Sequence, residues 1–276
     1  MNDVEGMKIN PALVRDMLSE FLIRETRKIG ITKTVFGLSG GVDSAVVACL
    51  LVESLGRENV HALIMPFRES NPQSREHAEN LAGKINLSYE IKDISPMVDA
   101  FFKEDPEADM LRKGNKMARE RMCLLYDYSA LNRALVIGTS NKTELLLGYG
   151  TIFGDLASAI NPIGDLYKTQ IWQLAEYLNV PEEIINKAPS ADLWAGQTDE
   201  SELGYSYREI DRLLYLMIDL RYPDEILEEM GYKINTIKDI KTRIKKSQFK
   251  RRPPVIAKIN DRTINQDFRY ARDWGV

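Results

Sequence analysis

Short apolar runs alternate with longer amphipathic segments along the first two thirds of the chain. The apolar runs predict strands at 34–38, 60–65 and 134–137, and the alternating stretch at 89–94 predicts an edge-like strand. Between them, apolar residues recur at helical spacing, as Leu13, Met17 and Phe21 do, and predict intervening helices. The longer predicted helices cover about 11–28, 45–52, 74–86 and 115–131. This alternation predicts an α/β fold, with a parallel sheet, helices on both faces and right-handed crossovers.

The last third has a different pattern. Residues 148–162 are Gly-rich and predict an irregular loop, and 164–178 lead into a helix. A polar stretch over about 188–206, anchored by Trp194, predicts a lid over a site or an ordinary surface loop. Helices are expected near 207–217, 223–230 and 235–246, before a basic tail at 250–254. We expect a single domain over 1–276, with a core at about 13–180, the lid, and a C-terminal helical segment and tail at 207–276.

The sequence Ser39-Gly40-Gly41-Val42-Asp43-Ser44 lies between the first strand and its helix. Glycines let backbone N–H groups approach an anion, and a helix N-terminus adds positive potential. A Walker loop would place Lys after the glycines. Asp43 stands there instead, and it can hold a divalent metal that phosphates also contact. The alternative is a tight strand-to-helix turn without a ligand.

Two further candidates follow the fourth strand. Thr139 lies at its end, and Glu144 falls in the first turn of the next helix. Because ligands bind at the carboxyl ends of parallel strands, Asp43 and Glu144 could supply two oxygen ligands to one Mg²⁺. The alternative for Glu144 is compensation of the helix dipole. Lys168, at a helix entrance, is a candidate point charge for a phosphate.

Two arginines, Arg119 and Arg121, occupy one predicted helix. Residues two apart lie about 200° apart around a helix, so we expect them not to face the same ligand. One is then functional, and the other is structural or solvated.

Composition narrows the function classes. A net charge of −4 argues against nucleic acid or a membrane surface as the main partner. No apolar run approaches 18 residues and no signal segment is visible, so we expect a cytoplasmic protein. Cys49 and Cys123 are expected to be buried free thiols. With His61 and His77 as the only histidines, neither a zinc site nor a Ser-His-Asp triad is expected.

Several sequence strings resemble a known family. The Ser-Gly-Gly string resembles the pyrophosphate loop of the N-type ATP pyrophosphatases. Further strings resemble those of the ammonia-dependent NAD synthetases: Arg112-Lys113-Gly114-Asn115, Ala118-Arg119-x-Arg121-Met122, Gly138-Thr139-Ser140-Asn141-Lys142 with Glu144, Phe153-Gly154-Asp155-Leu156-Ala157 with Asn161-Pro162, Pro189-Ser190-Ala191-Asp192-Leu193 and Lys250-Arg251-Arg252-Pro253-Pro254. The resemblance runs from about Leu13 to the basic tail.

The resemblance implies an adenine-nucleotide α-hydrolase-like, Rossmann-like fold and a homodimer. It also implies a ligase for NAD biosynthesis that uses ATP, Mg²⁺, deamido-NAD and ammonia. The nicotinate carboxyl group would be adenylated, and ammonia would then displace AMP, so that NAD, AMP and pyrophosphate are the products.

The family's site residues match individual positions of this chain. The expected catalytic residues are Asp43, Glu144 and Lys168, and the metal ligands are Asp43 and Glu144. The expected ATP contacts are Gly37, Leu38, Ser39, Gly40, Gly41, Val42, Asp43, Ser44, Thr139, Lys168 and Ser190. Arg119 matches the deamido-NAD contact. Ile152 and Ala159 replace a Lys and an Asp of many members, and Phe249 replaces a His, which predicts a variant dinucleotide site.

Other functions are weighed against this one. A tRNA-thiolating enzyme would need a reactive Cys and a basic surface, and a GMP-synthetase-like enzyme would need motifs that are absent here. An inactive nucleotide sensor would not need Asp43, Glu144 and Lys168, and pyrophosphate release distinguishes it. We expect no glutaminase domain, and therefore ammonia as the nitrogen source.

Overall fold

Four short strands form one parallel sheet in the order β3-β2-β1-β4. They are β1 (Lys33–Gly37), β2 (Val60–Ile64), β3 (Ser88–Ile91) and β4 (Ala134–Val136). The computed structural model describes residues 5–190, 192, 198–252, 254–261 and 263–264. Register is set by pairs such as Val35 with His61 and Val35 with Val136. The expected α/β class, with its parallel sheet, is confirmed.

Twelve α-helices lie in the described part of the chain. They are α1 (Pro11–Ile29), α2 (Val42–Leu55), α3 (Pro72–Lys84), α4 (Ser95–Phe102), α5 (Met110–Asn132), α6 (Lys142–Leu147), α7 (Lys168–Tyr177), α8 (Glu182–Ile185), α9 (Asp199–Leu203), α10 (Tyr207–Leu214), α11 (Asp224–Glu229) and α12 (Ile234–Lys246). A π-helical turn, Tyr215–Asp219, extends α10. None of the helices among these residues is long and apolar enough to span a membrane.

Hydrophobic packing covers both faces of the sheet. On one face, α2 packs under α1 and α7, and Phe36, Val46 and Leu50 are fully buried there. On the other face, α4 and α5 pack on Val35 and Leu63. The central strand β1 is therefore apolar on both sides, as expected for a buried parallel strand. A third cluster joins α10, α11 and α12 to α6 and α7, so the C-terminal helices rest against the helices that follow β4.

Helix starts follow local capping signals. The Asn10 side chain accepts a hydrogen bond from the Leu13 amide at 3.2 Å, with Pro11 in the first turn of α1. Helix α3 begins before the expected position 74, because Asn71 caps it and accepts a hydrogen bond from the Gln73 amide at 3.0 Å. Asn-Pro supplies both the cap and the first helical residue, so α3 begins two residues earlier.

Two further expectations need correction. Cys49 is buried, but Cys123 is exposed, because it lies on the face of α5 that points away from the sheet. Helix α5 begins at Met110, before the expected start at about 115, because the Asp109 side chain caps it by accepting a hydrogen bond from the Arg112 amide at 2.7 Å. The short helices α8 and α9 were not anticipated. Part of the expected lid, at 191 and 193–197, and Pro253 of the tail lie outside the described residues.

Candidate active site

A cavity of about 790 Å³ opens at the carboxyl ends of β1, β2 and β4. After β1 the chain continues to β2 and β3 on one side, and β4 adds on the other side, so strand order reverses beside β1. Such a switch point is where ligands bind in open parallel sheets. The walls come from the loop after β1, from α5, from the loop after α6 and from the segment around Ser190.

The loop after β1 is a tight turn that leads into α2. The Ser44 hydroxyl donates to the Gly41 carbonyl at 3.0 Å and accepts from the Ser39 amide at 3.2 Å. Gly40 has φ +77°, and a Cβ there would lie 2.0 Å from the Ser74 carbonyl oxygen. Glycine is therefore required here for two reasons. The backbone has a positive φ, and α3 lies too close to leave room for a side chain.

Lys168 lies at the start of α7 and is only 3% exposed. Its Nζ contacts the Asp43 carboxylate directly and lies 3.9 Å from Glu144 Oε1. The Tyr207 ring covers it, with the ring centroid 5.2 Å from Nζ. Burial opposes the charge of Lys168, but Asp43 and Glu144 outweigh it and raise the pKa of the ammonium. Burial, and next the Asp43 charge, raise the pKa of Glu144 well above its usual range.

Asn141 links the two carboxylates of this cluster. Its Nδ2 donates to Asp43 Oδ1 at 2.9 Å, and its Oδ1 accepts from the Glu144 amide at 3.0 Å. Its own amide donates to Glu144 Oε2 at 3.1 Å, which completes a capping box on α6. One fully buried side chain therefore orients a residue of α2 and a residue of α6, the helices that follow β1 and β4, toward each other.

The donor set suits a metal that is shared with a substrate. Among the described residues, no group of three or more His, Cys, Asp or Glu side chains is arranged to hold a metal by itself. Asp43 and Glu144 offer two carboxylates beside one ammonium. Mg²⁺ in nucleotide enzymes is commonly bound through one or two carboxylates, with phosphate oxygens and water completing its shell. The residues present therefore fit Mg²⁺ carried by a nucleotide.

The two arginines of α5 both line the cavity, and the expectation that they do not face the same ligand stays a prediction. Arg119 Nε donates to the Ile152 carbonyl at 3.3 Å, and Arg121 Nε donates to the Met65 carbonyl at 3.0 Å. Successive residues of a helix are rotated by about 100°. Relative to Ala118, which faces the cavity, Arg119 lies roughly 100° to one side and Arg121 roughly 60° to the other. Long side chains reach inward from both flanks.

Most other expected site residues meet at this cavity. Residues 37–39 and 41–44, together with Thr139 and Ser190, line it, while Gly40 turns toward α3. Their roles as ATP contacts stay predictions. Asp155 also lines the cavity and accepts from the Thr151 amide at 2.9 Å, and burial raises the pKa of its carboxyl group.

Asp199, at the start of α9, was missed from the sequence. It is buried beside the cavity and accepts from the Tyr149 hydroxyl at 2.9 Å and from the Tyr207 hydroxyl at 3.0 Å. Burial raises the pKa of its carboxyl group, and the Lys168 charge acts in the opposite direction. In the sequence, Asp199 is simply the first residue after the helix cap Thr198, and nothing there indicates a role in a distant site. Only the folded structure identifies Asp199 as a site residue.

The three departures from the family pattern occupy different surroundings. Ile152 lines the cavity, whereas Ala159 is absent from its wall and donates its amide to the Val136 carbonyl at 2.9 Å. Phe249 is 60% exposed. Its neighbour Lys250 lines the cavity and donates to the Gly148 and Gly150 carbonyls, both at 2.8 Å. The described part of the basic tail thus packs on the body of the protein.

Comparisons with known proteins agree on one family. Residues 14–254 match the NAD synthase family. The chain is 58% identical over 269 residues to an NH(3)-dependent NAD(+) synthetase of Trichlorobacter lovleyi, covering 98% of each chain. An NH3-dependent NAD synthetase structure from Campylobacter jejuni is similar at 40% identity and TM-score 0.77, over 91% of this chain and 100% of the other. An NMN synthetase structure from Francisella tularensis is similar at 34% identity and TM-score 0.79, over 91% and 99%.

Proposed function

The chain belongs to the NAD synthase family, and we propose that the cavity at the carboxyl ends of β1, β2 and β4 is its active site. The enzyme is an ATP-dependent ligase that amidates deamido-NAD with ammonia to NAD and releases AMP and pyrophosphate. One observation supports the location proposed for the reaction. Lys168 is buried against Asp43 and Glu144, directly beside the Ser-Gly-Gly loop.

ATP would bind with its β- and γ-phosphates on residues 39–44. The backbone amides and the start of α2 offer a cradle for anions, and Lys168 adds a fixed positive charge. Thr139 and Ser190 face the same space from two other walls. Asp43 and Glu144 would hold Mg²⁺, which when bound offsets the charge of the phosphates.

The chemistry would proceed in two displacements. A nicotinate carboxylate oxygen attacks the α-phosphorus, the bond to the β-phosphate oxygen breaks, and pyrophosphate leaves onto the loop. Ammonia then attacks the acyl carbon, AMP leaves with the electron pair of the C–O bond, and one proton is released. Asp155 is our candidate to accept a proton from ammonium, since burial makes its carboxylate more basic than usual.

Deamido-NAD would reach the cavity along the side formed by α5 and the loop at 150–155. Arg119 is exposed there, next to Ile152. We propose that its guanidinium binds the dinucleotide. Since Ile152 offers no charge where many relatives have Lys, Arg119 would carry more of this binding here.

We also propose that the chain forms a homodimer. Three large apolar side chains, on α4, α5 and the loop at 150–155, are mostly solvent-exposed: Phe101 at 59%, Leu111 at 72% and Phe153 at 67%. We propose that they belong to the dimer interface, since exposed apolar surface is typical of protein interfaces. The native mass in solution, measured by light scattering, tests the proposal: twice the chain mass is expected. A cytoplasmic location stays a prediction.

One assay tests the proposed function. Purified protein is mixed with Mg-ATP, ammonium and deamido-NAD, and the expected products are NAD, AMP and pyrophosphate in equal amounts. Glutamine in place of ammonium should give almost no NAD. Because one structural relative is an NMN synthetase, the corresponding mononucleotide acid is assayed in parallel. A clear preference for the mononucleotide, or no AMP with either acid, would contradict the proposal.

A further inference from the structure

Asp211, on α10, lies outside the cavity wall yet is bonded to two helices that supply site residues. Its side chain is fully buried. Oδ1 accepts from the Thr143 hydroxyl on α6 at 2.6 Å, and Oδ2 accepts from the Thr169 amide on α7 at 2.8 Å. A buried carboxylate is costly unless its oxygens are satisfied, and here each oxygen is satisfied by a different helix.

Thr143 extends this connection. Its Oγ1 donates to Asp211 and accepts from the Lys168 amide at 3.1 Å. A hydroxyl supplies one donor and two acceptor positions, so this one group can bridge a carboxylate and a backbone amide. Thr143 is also fully buried, which leaves no water to replace either partner. The bonds among Thr143, Asp211 and the backbone amides at the start of α7 thus hold the first turns of α6 and α7 at a fixed separation.

Two of the charged residues of the site lie next to these anchors in the chain. Glu144 follows Thr143, and Lys168 precedes Thr169 in the chain. Their side chains approach to 3.9 Å between Glu144 Oε1 and Lys168 Nζ. The separation of α6 and α7 therefore sets the distance between the Glu144 carboxylate and the Lys168 ammonium. The attraction between these two charges falls as that distance grows.

We infer that Asp211 acts through Thr143 as a positioning residue, placing Glu144 and Lys168 relative to each other for the reaction. The C-terminal helices thereby help to build the active site rather than only covering the core. The inference rests on the proposed active site, because it gives Asp211 no contact with substrate. A displacement near 1 Å at such a site can lower a rate by about 100-fold.

The most direct test of this inference removes only the Thr143 hydroxyl. Thr143→Val keeps the shape and removes the hydroxyl, whereas Thr143→Ser keeps the hydroxyl. We expect Thr143→Val to lower kcat by about 10- to 100-fold, with a much smaller change in KM for ATP. Thr143→Ser should retain most of kcat. Assays are run well below the melting temperature of each variant, so that the fraction unfolded does not contribute.

A matched control separates positioning from stability. Thr26 on α1 is also buried, and its hydroxyl donates only within its own helix, to the Leu22 carbonyl at 2.8 Å and the Ile23 carbonyl at 3.0 Å. Thr26→Val should lower the melting temperature and leave kcat unchanged. Equal losses of kcat in Thr26→Val and Thr143→Val would overturn the inference, as would normal kcat in folded Thr143→Val.

Asp211→Asn provides a second variant, since it keeps the size and removes the charge that holds two donors. Combined with Thr143→Val, it should lower kcat little further than the more damaging single change, because both act on one connection. Fully additive losses would contradict a shared role. If Thr143→Val does not fold, Asp211→Asn compared with Thr26→Val decides the same question. Failure of the wild type to form NAD would instead contradict the proposed function.

Discussion

Asn141 and Asp43 are 98 residues apart in sequence, and the Asn141 side-chain amide donates to the Asp43 carboxylate at 2.9 Å. This bond joins the turn after β4 to the first turn of α2, the helix that follows β1. The same asparagine caps α6 through the Glu144 amide at 3.0 Å. The two proposed metal ligands are therefore oriented by one neutral side chain, which adds no charge to a pair of like-charged carboxylates.

Asn141→Asp tests this orientation. Asp and Asn cap helices about equally well, so α6 should remain intact. The substitution removes the donor to Asp43 and adds a negative charge beside it, which raises the cost of keeping both carboxylates ionised. We expect kcat to fall by at least about 10-fold, or ~1.4 kcal/mol in the barrier.

Asn10→Asp is the matched control, because Asn10 caps α1 far from the cavity. Both variants should melt within a few degrees of the wild type, and only Asn141→Asp should lose activity. Normal kcat in folded Asn141→Asp would show that the bond to Asp43 is dispensable.

The strands and part of the site could be predicted because they depend on short stretches of sequence. The apolar runs located β1, β2 and β4 to within a few residues, because a buried parallel strand needs a nearly continuous apolar run. The alternating stretch at 89–94 located the exposed edge strand β3. The Gly40-Gly41 turn marked the carboxyl edge of β1, and Glu144 was expected in the first turn of the helix after β4, where the structure has it. Once the sheet is parallel, these positions must share one edge.

The remaining site residues depend on contacts between distant segments. Nothing near Asp211 in sequence indicates that α10 packs on α6 and α7, so its bonds to Thr143 and Thr169 could not be inferred. The helical spacing of Arg119 and Arg121 places them on opposite flanks of α5, but that both line one cavity depends on side-chain length and on the width of the cavity. Strand order likewise decided that Asn141 meets Asp43.

The proposed metal ligands give a second prediction. Asp43→Asn and Glu144→Gln each remove one charged oxygen ligand from the nucleotide-bound metal. Each should reduce kcat by at least about 100-fold at physiological Mg²⁺, or ~2.7 kcal/mol. Asp16→Asn, on an exposed part of α1, is the control and should leave turnover unchanged. Near-normal turnover in either site variant across a Mg²⁺ titration would remove that residue from the metal site.

Asp211 gives a prediction for stability as a function of pH. Burial raises the pKa of its carboxyl group from 3.8 to about 6, while Thr143, Thr169 and Lys168 favour the ionised form. Between these values the folded protein keeps a proton that the unfolded chain has released. The wild type should therefore lose stability relative to Asp211→Asn as pH rises through this window, by about 1–3 kcal/mol.

The measurement is the free energy of unfolding of both proteins in denaturant at several pH values from 4 to 7. Because the asparagine does not titrate, the difference between the two curves isolates this one group. A difference that stays constant with pH would mean that the Asp211 pKa is close to its usual value in the folded state.

The last prediction separates the arginines on the two flanks of the cavity. Arg119 lies beside Ile152, on the side proposed for deamido-NAD, whereas Arg121 is bonded to Met65 at the end of β2, next to the strand that carries the phosphate loop. A charged hydrogen bond typically contributes about 1.5–3 kcal/mol, or roughly 10- to 150-fold in binding. Arg119→Ala should raise KM for deamido-NAD by about that factor and change KM for ATP much less. Arg121→Ala should do the reverse, and Arg24→Ala, on exposed α1, should change neither. If Arg121→Ala only lowers the melting temperature, its guanidinium is structural, and the bond to Met65 is its whole role.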